Sequence, residues 1–293
     1  MTTKMGRVAF IGAGAMAESI IKGLIAKKML PPRNIIVTNR TNDDRLQQLE
    51  QDYGVHPSRD TKWIVQSSQI ILLAMKPKDA QSGLDRIRPF VQPEHIVGSV
   101  MAGITTTFME DRLPLHCAVV RTMPNTSSEI GRSSTTLCTG QHVSHLQQQL
   151  VEHLFQAIGT VTAVSEQDMD TTTALAGSGP AFLYYIAEAM MEAANSTNLD
   201  EHEIRELVAN TMIGAGLMMK TAHCDVKQLR INITSPGGTT EAGLEALMDR
   251  KVGEAFKACI VKAANRSKEL QEEYCKKEDN IRPDDKEMKR AQS

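Results

Sequence analysis

Residues 7–17, RVAFIGAGAMA, constrain the fold more than any other stretch of the chain. Val8, Ala9, Phe10 and Ile11 read as a short strand buried on both faces, and Gly12, Ala13, Gly14, Ala15, Met16 and Ala17 follow at once. An amphipathic stretch over 19–28 comes next. Strand, glycine turn and helix in this order make up a dinucleotide-binding βα unit. Gly12 permits the tight turn, Gly14 lets backbone approach a pyrophosphate, and the small Ala17 lets helix and strand pack closely. The amides opening the helix, those of Ala15 and Met16 among them, then face the phosphates along the helix dipole. Read locally, the same residues also fit a turn that binds nothing.

A second strand over 34–38 (NIIVT) ends in Thr38, Asn39, Arg40 and Thr41. A unit built for NAD places Asp or Glu here to hold the ribose 2′-hydroxyl, and this chain has neither. Arg40 suits a 2′-phosphate through a charge-assisted fork, and Asn39 and Thr41 add uncharged hydrogen bonds, so NADPH is expected in preference to NADH. Arg40 as a solvated loop cation is the competing reading, and Asp43 and Asp44 lie close by. Further strands are expected over 70–75, 95–100, 116–121, 134–138 and 159–164, with helices over 61–68, 79–88 and 142–156 between them. Ligands of an open parallel sheet lie beyond the carboxyl ends of its strands, which aims Ala74, Lys76 and Pro77 at the cofactor. Ala102 and Gly103, at the next strand end, leave room for a nicotinamide ring.

Beyond residue 165 the strand patterns stop. Helices rich in Ala, Met and Leu are expected over 181–196, 203–220, 239–249 and 252–274. The chain therefore divides into a Rossmann-type dinucleotide-binding domain over 1–164, a helical domain over 165–275 and a polar tail over 276–293 with no apolar pattern to fold it. Gly214 and Gly216 in an apolar helix point to close helix packing. The pairs Met190–Met191 and Met218–Met219 put apolar character on more than one face, which predicts a large contact between subunits, with methionines that only fill an ordinary core as the alternative.

A formal net charge of -2, with 41% hydrophobic and 23% charged residues, gives no reason to expect nucleic acid or a membrane surface as partner. No apolar run reaches the roughly 18 residues needed to span a bilayer. MTTKMG leads straight into the first strand without a signal peptide, so a cytoplasmic protein acting on a small molecule is expected. Five cysteines, without a C-x-x-C pair, read as reduced and mostly buried thiols. His142, His145 and His153 lack accompanying thiol or carboxylate ligands, and no metal site is expected.

Ser235, Pro236, Gly237, Gly238, Thr239 and Thr240 open the helix expected over 239–249 with amides and hydroxyls, a nest suited to a small carboxylate. A well-capped helix without a ligand is the alternative. TSPGGTTEAGL (234–244) resembles the signature of the pyrroline-5-carboxylate reductase family, the enzymes that close proline synthesis. FIGAGAMAESIIKGL (10–24), LLAMKP (72–77), MAGIT (101–105), RTMPNT (121–126) and LAGSGPAF (175–182) agree with that resemblance and stand in family order. The resemblance implies an α/β fold, with an N-terminal Rossmann-like domain followed by an all-helical C-terminal dimerisation domain. It also implies assembly as a homodimer, often extended to a decamer, and NADPH or NADH as reductant.

In the family, the loop matching Ser235, Gly237, Gly238, Thr239 and Thr240 binds the substrate carboxylate, and the threonine matching Thr240 bonds the ring nitrogen, making it the catalytic candidate. Departures are Ser127 in place of a usual proline, Gln69 in place of a usual aspartate, and Thr61 where some members carry an asparagine on the cofactor ribose. Reduction of a cyclic imine needs hydride at carbon and a proton at nitrogen. A protonated iminium is already electrophilic, so placement can serve where a strong acid–base pair is missing. A β-hydroxyacid dehydrogenase needs a base for an alcohol, and 166–180 contains no lysine or histidine. A regulatory paralogue without turnover is the non-enzyme alternative.

Overall fold

The computed structural model describes residues 5–275, so the expected polar tail over 276–293 lies outside the described residues. Eight strands form one sheet among the described residues: β1 (Val8–Ile11), β2 (Ile35–Thr38), β3 (His56–Pro57), β4 (Ile70–Leu73), β5 (Ile96–Ser99), β6 (Ala118–Met123), β7 (Ser133–Thr139) and β8 (Gly159–Ala163). Their spatial order is β3-β2-β1-β4-β5-β6-β7-β8. Every neighbouring pair is parallel except β6 and β7, where Thr122 faces Leu137 across an antiparallel ladder. The order reverses at β1, which lies between β2 and β4, and an α/β sheet binds ligands beside such a reversal.

The central strands VAFI, IIVT, IILL and IVGS are buried at every position. Helices therefore cover both faces, and successive side chains divide between two cores. Val8 and Phe10 pack with Ile20, Ile21 and Leu24 of α1 (Ala15–Ala26). Ala9 and Ile11 pack on the opposite face with Ile64 and Val65 of α3 (Thr61–Gln66) and with Leu84 and Ile87 of α4 (Ala80–Ile87). Asn42 caps α2 (Asp43–Tyr53) by accepting from Arg45 N at 2.9 Å, so Asp43 and Asp44 form that helix's first turn. Between β5 and β6 runs α5 (Thr106–Glu110), and α6 (His145–Gln156) begins with a capping box between Ser144 and Gln147.

The first compact unit runs to Gly177 and resumes at Ala263; the second is Ser178–Lys262. Strand texture ends near residue 164, but the chain after it still packs on the first unit. Met169 of α7 (Met169–Thr172) is fully buried, as is Ala174 in the π-helical turn Thr173–Gly177. Glu166 fixes this segment, accepting from Thr106 N at 3.1 Å, from Thr106 Oγ1 at 2.7 Å and from the buried guanidinium of Arg121. Asp170 takes a hydrogen bond from Ser267 Oγ at 2.7 Å.

The second unit contains α8 (Gly179–Ala193), α9 (Glu201–Thr221), α10 (Val226–Asn232), α11 (Thr239–Asp249) and the first part of α12 (Val252–Cys275). Of its apolar side chains only Ile204 and Val208 are buried, while Leu183, Tyr184, Tyr185, Ile213, Met218 and Met248 are exposed. Close packing at Gly214 and Gly216 is not found within the chain. A Cβ built on either glycine meets nothing within 4 Å. No helix among the described residues is long and apolar enough to cross a membrane.

The expectation of mostly buried thiols needs correction. Cys117 and Cys138 are buried, Cys259 and Cys275 are half-buried, and Cys224 is exposed. Burial pushes both buried thiols up to about 12, with Glu110 adding to the effect at Cys117 and Glu166 at Cys138. The three histidines take separate partners. His142 stacks edge-on against His116, His145 bonds Gln149, and His153 bonds Gln156.

Candidate active site

The turn after β1 is built around Gly12. Its φ is +116°, and a Cβ there would lie 2.4 Å from the carbonyl oxygen of Ala74. Only glycine fits that position. Gly12 N donates to Thr38 O at 2.9 Å and Ala74 N donates to Ile11 O at 2.9 Å, which draws the ends of β1, β2 and β4 together. Gly14 is the residue before α1. It is extended, no side chain caps the helix there, and a Cβ built on it meets nothing within 4 Å. Ala15 and Met16 thus open α1 without a side-chain cap, next to open space at Gly14 and beside the topological reversal, and uncapped first-turn amides suit a diphosphate.

Arg45 braces this turn, and sequence reading missed it. Its Nε donates to Ala13 O at 2.9 Å, and its Nη2 pairs with Glu18, which also accepts from Tyr53 Oη at 2.9 Å. The hydrogen bond from Arg45 is the main reason the Glu18 carboxyl sits below the usual range, with burial opposing it and Tyr53 assisting. The available signal was the spacing that places Arg45 at the start of a capped helix, but α2 itself was not foreseen.

Asn39 and Arg40 stand at the end of β2 as expected. Asn39 forms a closed pair with Asn42, accepting from its N at 2.9 Å and donating Nδ2 to its O at 2.6 Å. Arg40 is largely exposed, with Nη1 3.7 Å from Asp79 Oδ1. Arg59, also missed from sequence, reaches into the same corner. Thr61 instead accepts from Arg86 Nη2 at 3.1 Å. Ala74 is half-buried against the sheet core, Lys76 is exposed, and Pro77 starts a single 3-10 turn ending at Asp79. Ala102 is half-buried. At Gly103 the side that a Cβ would take is occupied by α12. A Cβ on it would come 3.2 Å from Gln271 N and 3.3 Å from Tyr274 Cδ2, so its smallness admits the end of α12.

The second set of residues lies in the second unit. Gly237 has φ +71°, the left-handed conformation that turns the chain back into α11. Gly238 precedes the helix without a side-chain cap and donates its N to Ser235 O at 3.0 Å. By contrast, α9 and α10 cap themselves with Asp200 and Asp225. Thr239 and Thr240 are the first two residues of α11, Thr240 being half-buried. The Gly237 amide donates to Glu241 Oε2 at 2.6 Å, so this loop already holds a carboxylate, one of its own. Open-sided glycine backbone at a helix start suits an anionic group, and the loop supplies hydroxyls but no strong base.

A family profile described as "Pyrroline-5-carboxylate reductase dimerisation" matches residues 166–270, and one described as "NADP oxidoreductase coenzyme F420-dependent" matches residues 7–103. Pyrroline-5-carboxylate reductase 1 of Bacillus spizizenii is 43% identical over 267 residues, covering 91% of this chain and 90% of its own. A solved pyrroline-5-carboxylate reductase from Coxiella burnetii superposes with a TM-score of 0.84 at 34% identity, covering 91% of this chain and 98% of that one. The Plasmodium falciparum pyrroline carboxylate reductase with NADP bound gives a TM-score of 0.82 at 25% identity, covering 92% and 99%. With its glycine turn, its Rossmann-like sheet and its helical region all matched at this coverage, the chain belongs to the pyrroline-5-carboxylate reductase family of NAD(P)-dependent oxidoreductases.

Proposed function

We propose that the chain reduces 1-pyrroline-5-carboxylate to L-proline, the last step of proline biosynthesis, with Ser235, Gly237, Gly238, Thr239 and Thr240 holding the substrate. The observation that carries this reading is the start of α11, where the Gly237 amide binds a carboxylate oxygen of Glu241 at 2.6 Å. The substrate carboxylate takes over that amide and gains the hydroxyls of Ser235 and Thr239. Thr240, in the first turn of α11, holds the ring nitrogen through its hydroxyl, orienting it or protonating it by relaying a proton from solvent. Reduced nicotinamide supplies the hydride that the imine carbon accepts. Clamping the carboxylate fixes the small ring against rotation, and that positioning is the main contribution this chain's residues make to the rate.

Gly12, Gly14, Ala15 and Met16 hold the diphosphate of the reductant, Asn39 and Arg40 its adenosine end, and Ala74, Lys76, Pro77 and Ala102 line its remaining length, with Gly103 supporting that corner through α12. Arg40 favours NADPH, while NADH remains usable, because no carboxylate closes β2. The homodimer is the smallest working unit. The exposed apolar side chains of α8, α9 and α11 and the open Gly214 and Gly216 support that reading, and further assembly to a decamer is in keeping with it. Unpaired cysteines suit the reducing cytoplasm.

The test is to mix purified protein with pyrroline-5-carboxylate and follow the absorbance of NADPH and, separately, NADH. Oxidation accompanied by proline formation supports the reading. Binding of both ligands without oxidation favours a regulatory paralogue, and oxidation with a keto acid alone favours a hydroxyacid dehydrogenase.

A further inference from the structure

The carbonyls of Asn39 and Arg40, at the end of β2, both accept from Nη1 of Arg59, the former at 3.1 Å. Nη2 of the same guanidinium donates to Asn39 Oδ1 at 3.3 Å and to Asp43 Oδ1, and Nε donates to Asp43 Oδ1 at 3.1 Å. Arg59 comes from the segment between β3 and α3, about 20 positions along the chain from the loop it grips. The corner therefore contains two guanidiniums, each facing a carboxylate: Arg40 with Asp79, and Arg59 with Asp43.

We propose that Arg59 is a specificity-determining residue for the adenosine 2′ substituent, and that Asp43 sets how strongly it acts by competing with a 2′-phosphate for the same guanidinium edge. The inference rests on the cofactor reading above. All five N–H groups of Arg59 are engaged. The two bonds to backbone carbonyls fix the guanidinium plane beside the β2 loop. The edge shared by Nε and Nη2 is held by a carboxylate whose side chain is 84% exposed, and Asp43 can swing into water when a more highly charged group arrives. A phosphate monoester carries more charge than one carboxylate and matches the same two-pronged geometry. When the 2′ position carries only a hydroxyl, Arg59 keeps Asp43 and the corner stays neutral. The oxidised or reduced NAD form is then neither repelled nor specially rewarded.

The experiment is calorimetric titration of the full-length protein with NADP+ and with NAD+, which reads binding without turnover. Arg59→Ala is expected to weaken NADP+ about tenfold or more and NAD+ by less than about twofold. Asp43→Asn is expected to tighten NADP+ and leave NAD+ unchanged, and the double variant loses that gain. Arg59→Lys, which keeps the charge but not the fork, is expected to fall between wild type and Arg59→Ala. Equal weakening of both nucleotides in Arg59→Ala, with native circular dichroism, makes Arg59 a simple loop brace and overturns the proposal. So does an Asp43→Asn variant whose NADP+ affinity is that of wild type. A wild-type protein that binds neither nucleotide overturns the cofactor reading itself.

Discussion

Replacing Glu166 with alanine removes the main charge partner of Arg121, a residue with 1% of its side chain exposed. Glu166 takes Nη1 of that guanidinium, and its other oxygen takes the amide and hydroxyl of Thr106 and the thiol of Cys138. What remains is Asp170 at 4.0 Å from Nη2, a nitrogen that already lacks a hydrogen-bond partner. Stranding a buried charge costs about 3–5 kcal/mol, a large part of the roughly 5–15 kcal/mol that holds an ordinary domain folded. Urea unfolding at fixed protein concentration should therefore show a much lower midpoint at unchanged slope. Arg121→Met combined with Glu166→Leu removes both charges and should recover most of the loss.

The pair also carries a pH signature. Burial works to raise the Glu166 carboxyl, but the charge of Arg121 and the Thr106 donors outweigh it and hold it below the usual carboxylate range. A lowered folded value means that the contribution is complete above the unfolded carboxyl's value and is lost as pH falls through the folded one. Glu166→Gln should lose that part of the acid dependence. A Glu166→Ala protein within about 1 kcal/mol of wild type, together with a double variant less stable than the single one, would refute the reasoning.

Gly12→Ala forces an L-residue to φ +116° and puts its Cβ 2.4 Å from Ala74 O, a strain of about 1–3 kcal/mol before the strands move apart. Nucleotide titration should show loss of NADP+ and NAD+ binding alike. Arg40→Ala should raise the KM for NADPH far more than that for NADH in steady-state assays, and equal effects would remove Arg40 from 2′-phosphate recognition.

The strands were legible because parallel strands buried on both faces are continuous apolar runs, and VAFI, IIVT and IILL announce themselves without any alternation. The glycine turn was legible for the same local reason, since Gly12 must be glycine whatever binds there. The elements that were missed are the short ones, β3, α5 and α10, and the polar α2. α2 reads DDRLQQLEQDY and buries only Leu46 and Leu49, so its periodic signal is thin, and its start rests on the Asn42 cap. Arg45 and Arg59 escaped notice because their roles depend on contacts with Ala13, Glu18 and Asn39 that sequence spacing does not encode. The extent of the first unit beyond residue 164 was hidden likewise. A buried ion cluster joins Arg121 on β6 to Glu166 and Asp170, 45 and 49 positions later, and no periodicity marks such a pairing. Gly103 likewise admits the end of the chain's own α12 on its Cβ side, a contact that sequence spacing does not encode.

The most direct measurement of the central claim is the steady-state rate of NADPH oxidation with pyrroline-5-carboxylate by wild type, Thr240→Ala and Thr240→Val. Proline should accumulate in step with oxidised cofactor in the wild type. Both variants should lose turnover while binding NADP+ as wild type does, because the hydroxyl at the start of α11 is gone from each. Wild-type turnover and KM in both variants would contradict the assignment of Thr240, and a wild type that binds NADP+ yet turns over no pyrroline-5-carboxylate would contradict the proposed reaction itself.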